Sequence, residues 1–117
     1  MNKPWQPYAY HILDAIAKIQ RIQKRGDLTQ DEMLYDAALR NLQTLSEATQ
    51  RLPEKKKLTY PTIPWTEISG FRNILVHNYL GDIDPITVAA VIDKHMGPLE
   101  KCISSMLSDY IPAESQT

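Results

Sequence analysis

The chain has 117 residues, a formal net charge of −1 and one cysteine, and these three facts exclude several classes of protein. The length suits one domain spanning residues 1–117, and Cys102 has no partner for an internal disulfide or a multi-cysteine zinc site. The net charge provides no global basic field for nucleic acid, so any contact with RNA would use a local basic patch. Because no apolar run approaches the roughly 20 residues of a membrane span and none near the N-terminus resembles a signal peptide, we expect a cytoplasmic protein with no membrane association.

The first predicted helix runs from about Tyr8 to Lys24. Apolar residues recur there at steps of three and four, which is the period of a helix with one buried stripe. The members of this stripe are Ile12, Ala15, Ile16, Ile19 and Ile22. Gly26 follows a basic last turn and is a suitable stop for the helix.

The second predicted helix opens at Thr29-Gln30-Asp31-Glu32, which has the pattern of a capping box. In that pattern Thr29 caps the helix and Glu32 reaches back to it. The helix is expected to run to about Arg51, because Pro53 cannot continue it. Its predicted apolar face contains Met33, Leu34, Ala37, Ala38, Asn41, Leu42, Leu45 and Ala48.

A loop is predicted from Lys55-Lys56-Lys57 to Pro64, because its prolines forbid a continuous helix. The lysine run has two interpretations: a solvated turn, which is the common one, or a lip that contacts phosphate beside a binding site. A third helix is predicted to begin at Trp65 or Thr66 and to end at Leu80.

A fourth helix is predicted from Pro85, with Asp84 as its N-cap. Gly97-Pro98 is expected to interrupt it, after which the apolar period resumes to about Tyr110, with Cys102 packed as a small hydrophobe. No strand pattern occurs. The expected fold class is therefore all-α, an antiparallel helical bundle of four main helices with the last one kinked or split.

The third helix carries the chemistry of the chain. Arg72, Asn73, His77 and Tyr79 stand among the apolar residues Ile74, Leu75, Val76 and Leu80. A histidine can take or give a proton near neutral pH, and an arginine fork can hold a phosphate and its growing charge. This pairing needs no metal and suits the cleavage of RNA by its own 2′-hydroxyl.

Helical geometry limits how these side chains can meet. Arg72 and Tyr79 are seven residues apart and lie on nearly the same face, whereas His77 lies about 140° round from Arg72. Either the helix loosens near its end, where Gly81 is a plausible stop, or two copies of the chain complete the site together. We expect a mixture of both, with the interface contributing more.

Each of these residues also has a structural interpretation. Arg72 could pair with an acidic side chain, Asn73 could cap a neighbouring loop, and His77 could be a hydrogen-bonded residue within an apolar helix. Tyr79 could be a core aromatic with its hydroxyl at the rim. His11 and His95 are assigned structural roles.

The pattern Arg72-Asn73-x-x-x-His77-x-Tyr79 resembles the RxxxxHxY motif of the HepT toxins in the HEPN superfamily of small α-helical RNases. The resemblance extends to ILDAIAKIQ, ALRNLQTLSEATQRLP, IPWTEISGFRNILVHNYLGDI and GPLEKCI, in the order of the family. It implies that Arg72 and His77 are the catalytic pair of a metal-independent endoribonuclease without a cofactor. Asn73 would support the site.

The resemblance also implies partners. HEPN domains typically form dimers with their motif helices facing, so we expect a homodimer or higher oligomer with the RNA substrate in a shared cleft. An MNT nucleotidyltransferase antitoxin would transfer AMP from ATP to Tyr79. Two alternatives stay open: a non-catalytic HEPN module that binds a nucleotide or the nucleotidyltransferase, and a plain helical scaffold.

Overall fold

The computed structural model describes residues 4–71, 73 and 84–109, and these residues form five helices and no strand. None of these helices is long and apolar enough to cross a membrane. The predicted all-α fold class is confirmed. The helices are α1 (Gln6–Arg25), α2 (Glu32–Thr49), α3 (Glu54–Leu58), α4 (Trp65–Ser69) and α5 (Pro85–Asp109).

The α1 helix lies against α2 along much of its length and also packs against α5. Its predicted stripe is confirmed, because Ile12, Ala15, Ile16 and Ile19 are buried and Ile22 is half-buried. Only residues 26–31 connect α1 to α2, and so short a connection makes the two helices antiparallel neighbours.

The cap of α2 is Asp31, so the predicted Thr29 capping box is wrong. The Asp31 carboxylate accepts hydrogen bonds from the backbone amides of Met33 and Leu34, at 3.0 and 3.2 Å. The Thr29 hydroxyl instead donates to Asp27 at 2.7 Å, and this hydrogen bond helps to lower the pKa of the Asp27 carboxyl. A carboxylate next to the positive end of the helix dipole is a better cap than a hydroxyl that already has a partner.

We expect Asp31→Ala to lower the free energy of unfolding by about 1 kcal/mol, because two amides in the first turn of α2 lose their acceptor. Thr29→Ala, which removes a hydroxyl outside the helix, is the matched control and should cost less than about 0.5 kcal/mol. Urea unfolding followed by circular dichroism measures both. Equal losses, or a larger loss for Thr29→Ala, would restore the capping box.

The buried face of α2 is rotated from the predicted one. Met33 is 83% exposed, while Tyr35 and Leu39, absent from the prediction, are buried. Ala38, Leu42, Leu45 and Ala48 are buried as predicted. Because apolar residues cover a broad arc of α2, their periodicity alone does not choose the contact face. The choice is made by the helices packed against it, α1 and α4.

The predicted loop after Pro53 contains the short helix α3, and its three lysines differ: Lys55 is exposed, Lys56 is half-buried and Lys57 is buried. Lys57 is buried, with its Nζ 3.0 Å from Glu54 Oε1 and 3.4 Å from the Thr49 carbonyl oxygen. Lys56 Nζ lies 4.6 Å from the centre of the Trp5 ring. One helical turn places Glu54 and Lys57 side by side. A prediction that treats this segment as a loop does not include that contact.

The α5 helix is continuous over its 25 residues, so the predicted interruption at Gly97-Pro98 is wrong. Proline removes one helical hydrogen bond, to the carbonyl of Lys94. Both Lys94 and Pro98 are exposed, so water can reach the carbonyl that loses its partner. The apolar stripe on the other side keeps the helix together, since Ile92, Met96, Leu99 and Ile103 are all buried.

The start of α5 and its cysteine are as predicted. Asp84 caps the helix by accepting a hydrogen bond from the Thr87 amide at 2.8 Å, and Pro85 is the first helical residue. Cys102 is 5% exposed, and burial raises the pKa of its thiol to about 11. It therefore packs as a small, protonated hydrophobe.

Candidate functional site

Among the predicted site residues, Asn73 is within the described part of the chain. Arg72, His77 and Tyr79 lie outside the described residues, as do the predicted helix end at Leu80 and the stop at Gly81. Asn73 is exposed, and its backbone amide donates a hydrogen bond to the Gly70 carbonyl at 2.9 Å. What the structure describes is therefore the frame that leads into the motif.

The α4 helix is anchored at both ends by polar contacts. At its start, the Trp65 indole Nε1 donates to the carbonyl oxygens of Lys57 and Tyr60, at 3.0 and 3.2 Å. At its end, the buried Ser46 hydroxyl on α2 donates to the Ser69 carbonyl at 2.9 Å. These hydrogen bonds fix the position of α4 along its own axis and its rotation about that axis, relative to the neighbouring segments.

Apolar contacts complete this frame. Ile68 and Phe71 are 1% and 2% exposed, so both are core residues on the segment that precedes the motif arginine. They lie on the two sides of Gly70, so the core holds the chain both before and after this residue. The backbone position from which Arg72 departs is thus tied to the hydrophobic core.

Gly70 separates α4 from the motif, so the predicted unbroken helix from Trp65 is wrong at this residue. The Gly70 amide donates to the carbonyls of Thr66 and Glu67, at 3.0 and 3.1 Å. A Cβ added to Gly70 would lie 3.3 Å from the Glu67 carbonyl oxygen, a tight contact. Helical backbone resumes at Phe71 and is present at Asn73.

His95 on α5 lies beside this turn. It is 4% exposed, its Nε2 is 3.4 Å from Glu67 Oε1, and its ring centroid is 5.5 Å from that of Phe71 at an interplanar angle of 56°. The Glu67 separation is an ion-pair distance, yet among the described residues Nε2 has no partner with hydrogen-bond geometry.

Sequence reasoning missed this neighbour of the motif. Twenty-four residues separate His95 from Phe71 along the chain, and no local pattern relates them. One signal did exist: His95 continues the buried series Val88, Ile92 and Leu99 at helical spacing. That spacing places a polar ring in the core, where a structural or functional reason is needed.

A basic groove lies elsewhere on the surface, between α1 and α2. It has a volume of about 410 Å³ and is lined by Lys18, Arg21, Ile22, Arg25 and Asn41. Lys18 is paired with Asp14 at 3.1 Å, and Arg21 and Arg25 are exposed. The two arginines are four residues apart and lie about 6 Å apart along the helix axis. The net charge of the whole chain conceals this local concentration of cations.

Within residues 4–71, 73 and 84–109, no group of three or more His, Cys, Asp and Glu side chains is placed to hold a metal ion.

The all-α fold, with RNxxxHxY directly after Phe71, defines the class of small helical HEPN-like proteins. The family model described as "Ribonuclease HepT-like" matches residues 12–106, and the chain belongs to this family. The match spans α1 to most of α5 and includes every predicted site residue.

Curated relatives agree with this assignment. The chain is 31% identical to a "Putative RNase" of Caldanaerobacter subterraneus subsp. tengcongensis, over 87% of this chain and 93% of that protein. It is 34% identical to a "Putative RNase" of Methanocaldococcus jannaschii, over 80% and 79%. It is 30% identical to a "Probable ribonuclease HepT" of Thermococcus cleftensis, over 69% and 76%. No solved structure matches the chain significantly.

Proposed function

We propose that this chain is the toxin of a HEPN/MNT toxin–antitoxin pair, a metal-independent endoribonuclease that acts in the cytoplasm. The observation that carries the proposal is the HepT-like ribonuclease match over residues 12–106, which includes an intact Arg72-Asn73-x-x-x-His77-x-Tyr79. The names of the relatives support the same activity. Residues 1–117 act as one HEPN-like domain.

In the proposed reaction, His77 accepts the proton of an RNA 2′-hydroxyl, and the 2′-oxygen attacks the adjacent phosphorus. The bond from phosphorus to the 5′-oxygen breaks, and that oxygen leaves as a hydroxyl after it receives a proton from the histidinium, which returns His77 to its neutral form. The products are a 2′,3′-cyclic phosphate and a new 5′-hydroxyl end. Arg72 binds the non-bridging oxygens and stabilises their charge in the transition state, and Asn73 supports the site.

The site is completed in a homodimer or higher oligomer. Helical geometry separates Arg72 and His77 by about 140° on one straight helix, so two facing motif helices bring both residue types into a single cleft. RNA lies in this cleft. The basic groove of Lys18, Arg21 and Arg25 offers additional cations for its phosphates, since local positive charge drives non-specific RNA binding.

The proposed antitoxin is an MNT nucleotidyltransferase that silences the site through Tyr79. The phenol oxygen attacks the α-phosphorus of ATP, pyrophosphate leaves, the phenol proton is lost, and AMP stays on the tyrosine. The added phosphodiester places negative charge on the helix face shared with Arg72. It occupies the arginine and repels an RNA phosphate.

The second candidate is a non-catalytic HEPN module that binds a nucleotide or helps the nucleotidyltransferase to hold its substrate. The near-neutral charge of −1 favours it, because an RNA-binding protein usually carries more positive charge.

Induced expression of this chain alone tests the proposal, with the wild type compared with His77→Ala and total RNA recovered from both cultures. We expect growth arrest and new RNA fragments in the wild type only, because the variant lacks its general base. The fragment ends should be 2′,3′-cyclic phosphates.

Two results would contradict the proposal. If His77→Ala arrests growth and fragments RNA like the wild type, the catalytic assignment is wrong. If both cultures grow normally with intact RNA while the soluble folded protein accumulates, the binding module is the better description. Separately, Tyr79→Phe should abolish the mass gain of AMP transfer when the antitoxin and ATP are present.

A further inference from the structure

We infer that His95 is a positioning residue for the proposed ribonuclease site: it clamps the chain on both sides of Gly70 and so holds the backbone from which Arg72 departs. This inference rests on the proposed function and adds a residue far from the motif in sequence. The geometry of Glu67, Gly70, Phe71 and His95 supports it.

The two contacts of His95 lie on opposite sides of Gly70, where α4 is separated from the motif. Glu67 lies before Gly70 and Phe71 lies after it. His95 Nε2 is 3.4 Å from Glu67 Oε1, and the ring packs 5.5 Å from the Phe71 ring. One side chain on α5 therefore contacts both arms of the turn.

Gly70 is the place where such a clamp is needed. Glycine has the greatest backbone freedom and weakens a helix relative to alanine. The α4 helix ends at Ser69, and helical backbone resumes at Phe71. Without a tertiary contact across the glycine, the segment after it could change direction relative to α4.

The position of Phe71 limits that of the next residue, because consecutive Cα atoms are held about 3.8 Å apart across a trans peptide. Small displacements of catalytic groups matter, since a misplacement of about 1 Å far from the chemistry can lower a rate about 100-fold. Holding Phe71 in place thus restricts where the motif arginine begins.

His95 places a polar ring in the core whose Nε2 makes no hydrogen bond to the described part of the chain. At 4% exposure its Nε2 lies at ion-pair distance from Glu67 but makes no hydrogen bond among the described residues, and a buried polar group without a hydrogen bond costs free energy. An apolar residue of similar size would satisfy the core better. Polar groups retained against such a cost are expected where function requires them.

The test is His95→Leu in the full chain, assayed as purified protein on RNA. We expect kcat to fall about 10- to 100-fold while KM changes less than twofold. The melting temperature should be unchanged or higher, because leucine replaces a buried nitrogen that makes no hydrogen bond to the described residues. If His95 merely stabilised the fold, its replacement would instead lower the melting temperature of the protein.

Two further variants sharpen the comparison. His11→Leu makes the same substitution at an exposed position of α1 and should leave kcat unchanged. His95→Gln retains a polar group that can reach Glu67 and should keep more of the wild-type kcat than His95→Leu. Wild-type kcat in His95→Leu would overturn the inference, as would a drop in melting temperature that accounts for the lost activity.

Amide hydrogen exchange separates this inference from the ribonuclease proposal, since it needs no activity. We expect His95→Leu to accelerate exchange of the Gly70 and Asn73 amides, which form the turn bonds, while α1 amides keep their protection. If the wild type cleaves no RNA, the ribonuclease proposal fails, and faster exchange still supports the clamp. Unchanged exchange at both amides would overturn it.

Discussion

Replacing Arg72 with alanine is expected to lower the rate of RNA cleavage by the purified protein about 100- to 1,000-fold. This is the effect of removing one donor that stabilises charge in a transition state. Arg72→Lys keeps the charge but loses the planar fork that binds two phosphate oxygens at once. We therefore expect the lysine variant to recover only part of the rate.

Single-turnover cleavage of a labelled RNA measures this loss without interference from product release. Arg40→Ala is the matched control, because Arg40 is an exposed arginine in the middle of α2. Thermal unfolding of each variant verifies that the fold is retained. Cleavage by Arg72→Ala at the wild-type rate would remove Arg72 from the site and leave the ribonuclease assignment without its phosphate-binding group.

Ile16→Ala should lower the free energy of unfolding by about 2–5 kcal/mol. Ile16 is 0% exposed in the middle of α1, where that helix packs against α2 and α5. The substitution removes buried methyl and methylene groups and leaves a cavity that rigid neighbours fill only in part. For a protein with about 5–15 kcal/mol of total stability, the loss is large.

Ile86→Ala is the control, with the same chemical change at a residue that is 70% exposed near the start of α5. It should change stability by less than about 0.5 kcal/mol. Urea unfolding of both variants measures the difference. Similar losses for the two isoleucines would show that α1 does not hold the core as its burial indicates.

Local patterns were sufficient for much of the fold. The stripe of α1, the Asp84 cap of α5 and the burial of Cys102 all agree with their predictions. Each depends on residues within one or two helical turns, so periodicity and capping chemistry contain the answer. The errors occurred where several local solutions compete.

Three such competitions show the limit. Thr29 and Asp31 are both residue types that cap helices. Because the Thr29 hydroxyl is hydrogen-bonded to Asp27, Asp31 is the residue that caps α2. Pro98 is compatible with a break in the helix or with an exposed position in a continuous helix. The packing of the buried stripe of α5 keeps the helix continuous. Lys57 fits a solvated loop, but a turn of helix and the Thr49 carbonyl hold it in a buried position.

The sequence by itself determined the all-α class, the order of the main helices and the motif that places the chain in the HepT-like ribonuclease family. It could do so because helical period and motif spacing are properties of neighbouring residues. Only the tertiary structure placed His95 against Glu67 and Phe71 and put Arg21, Arg25 and Asn41 around one groove. Contacts between residues on different helices depend on how those helices pack, and side chains from all of them decide that packing together.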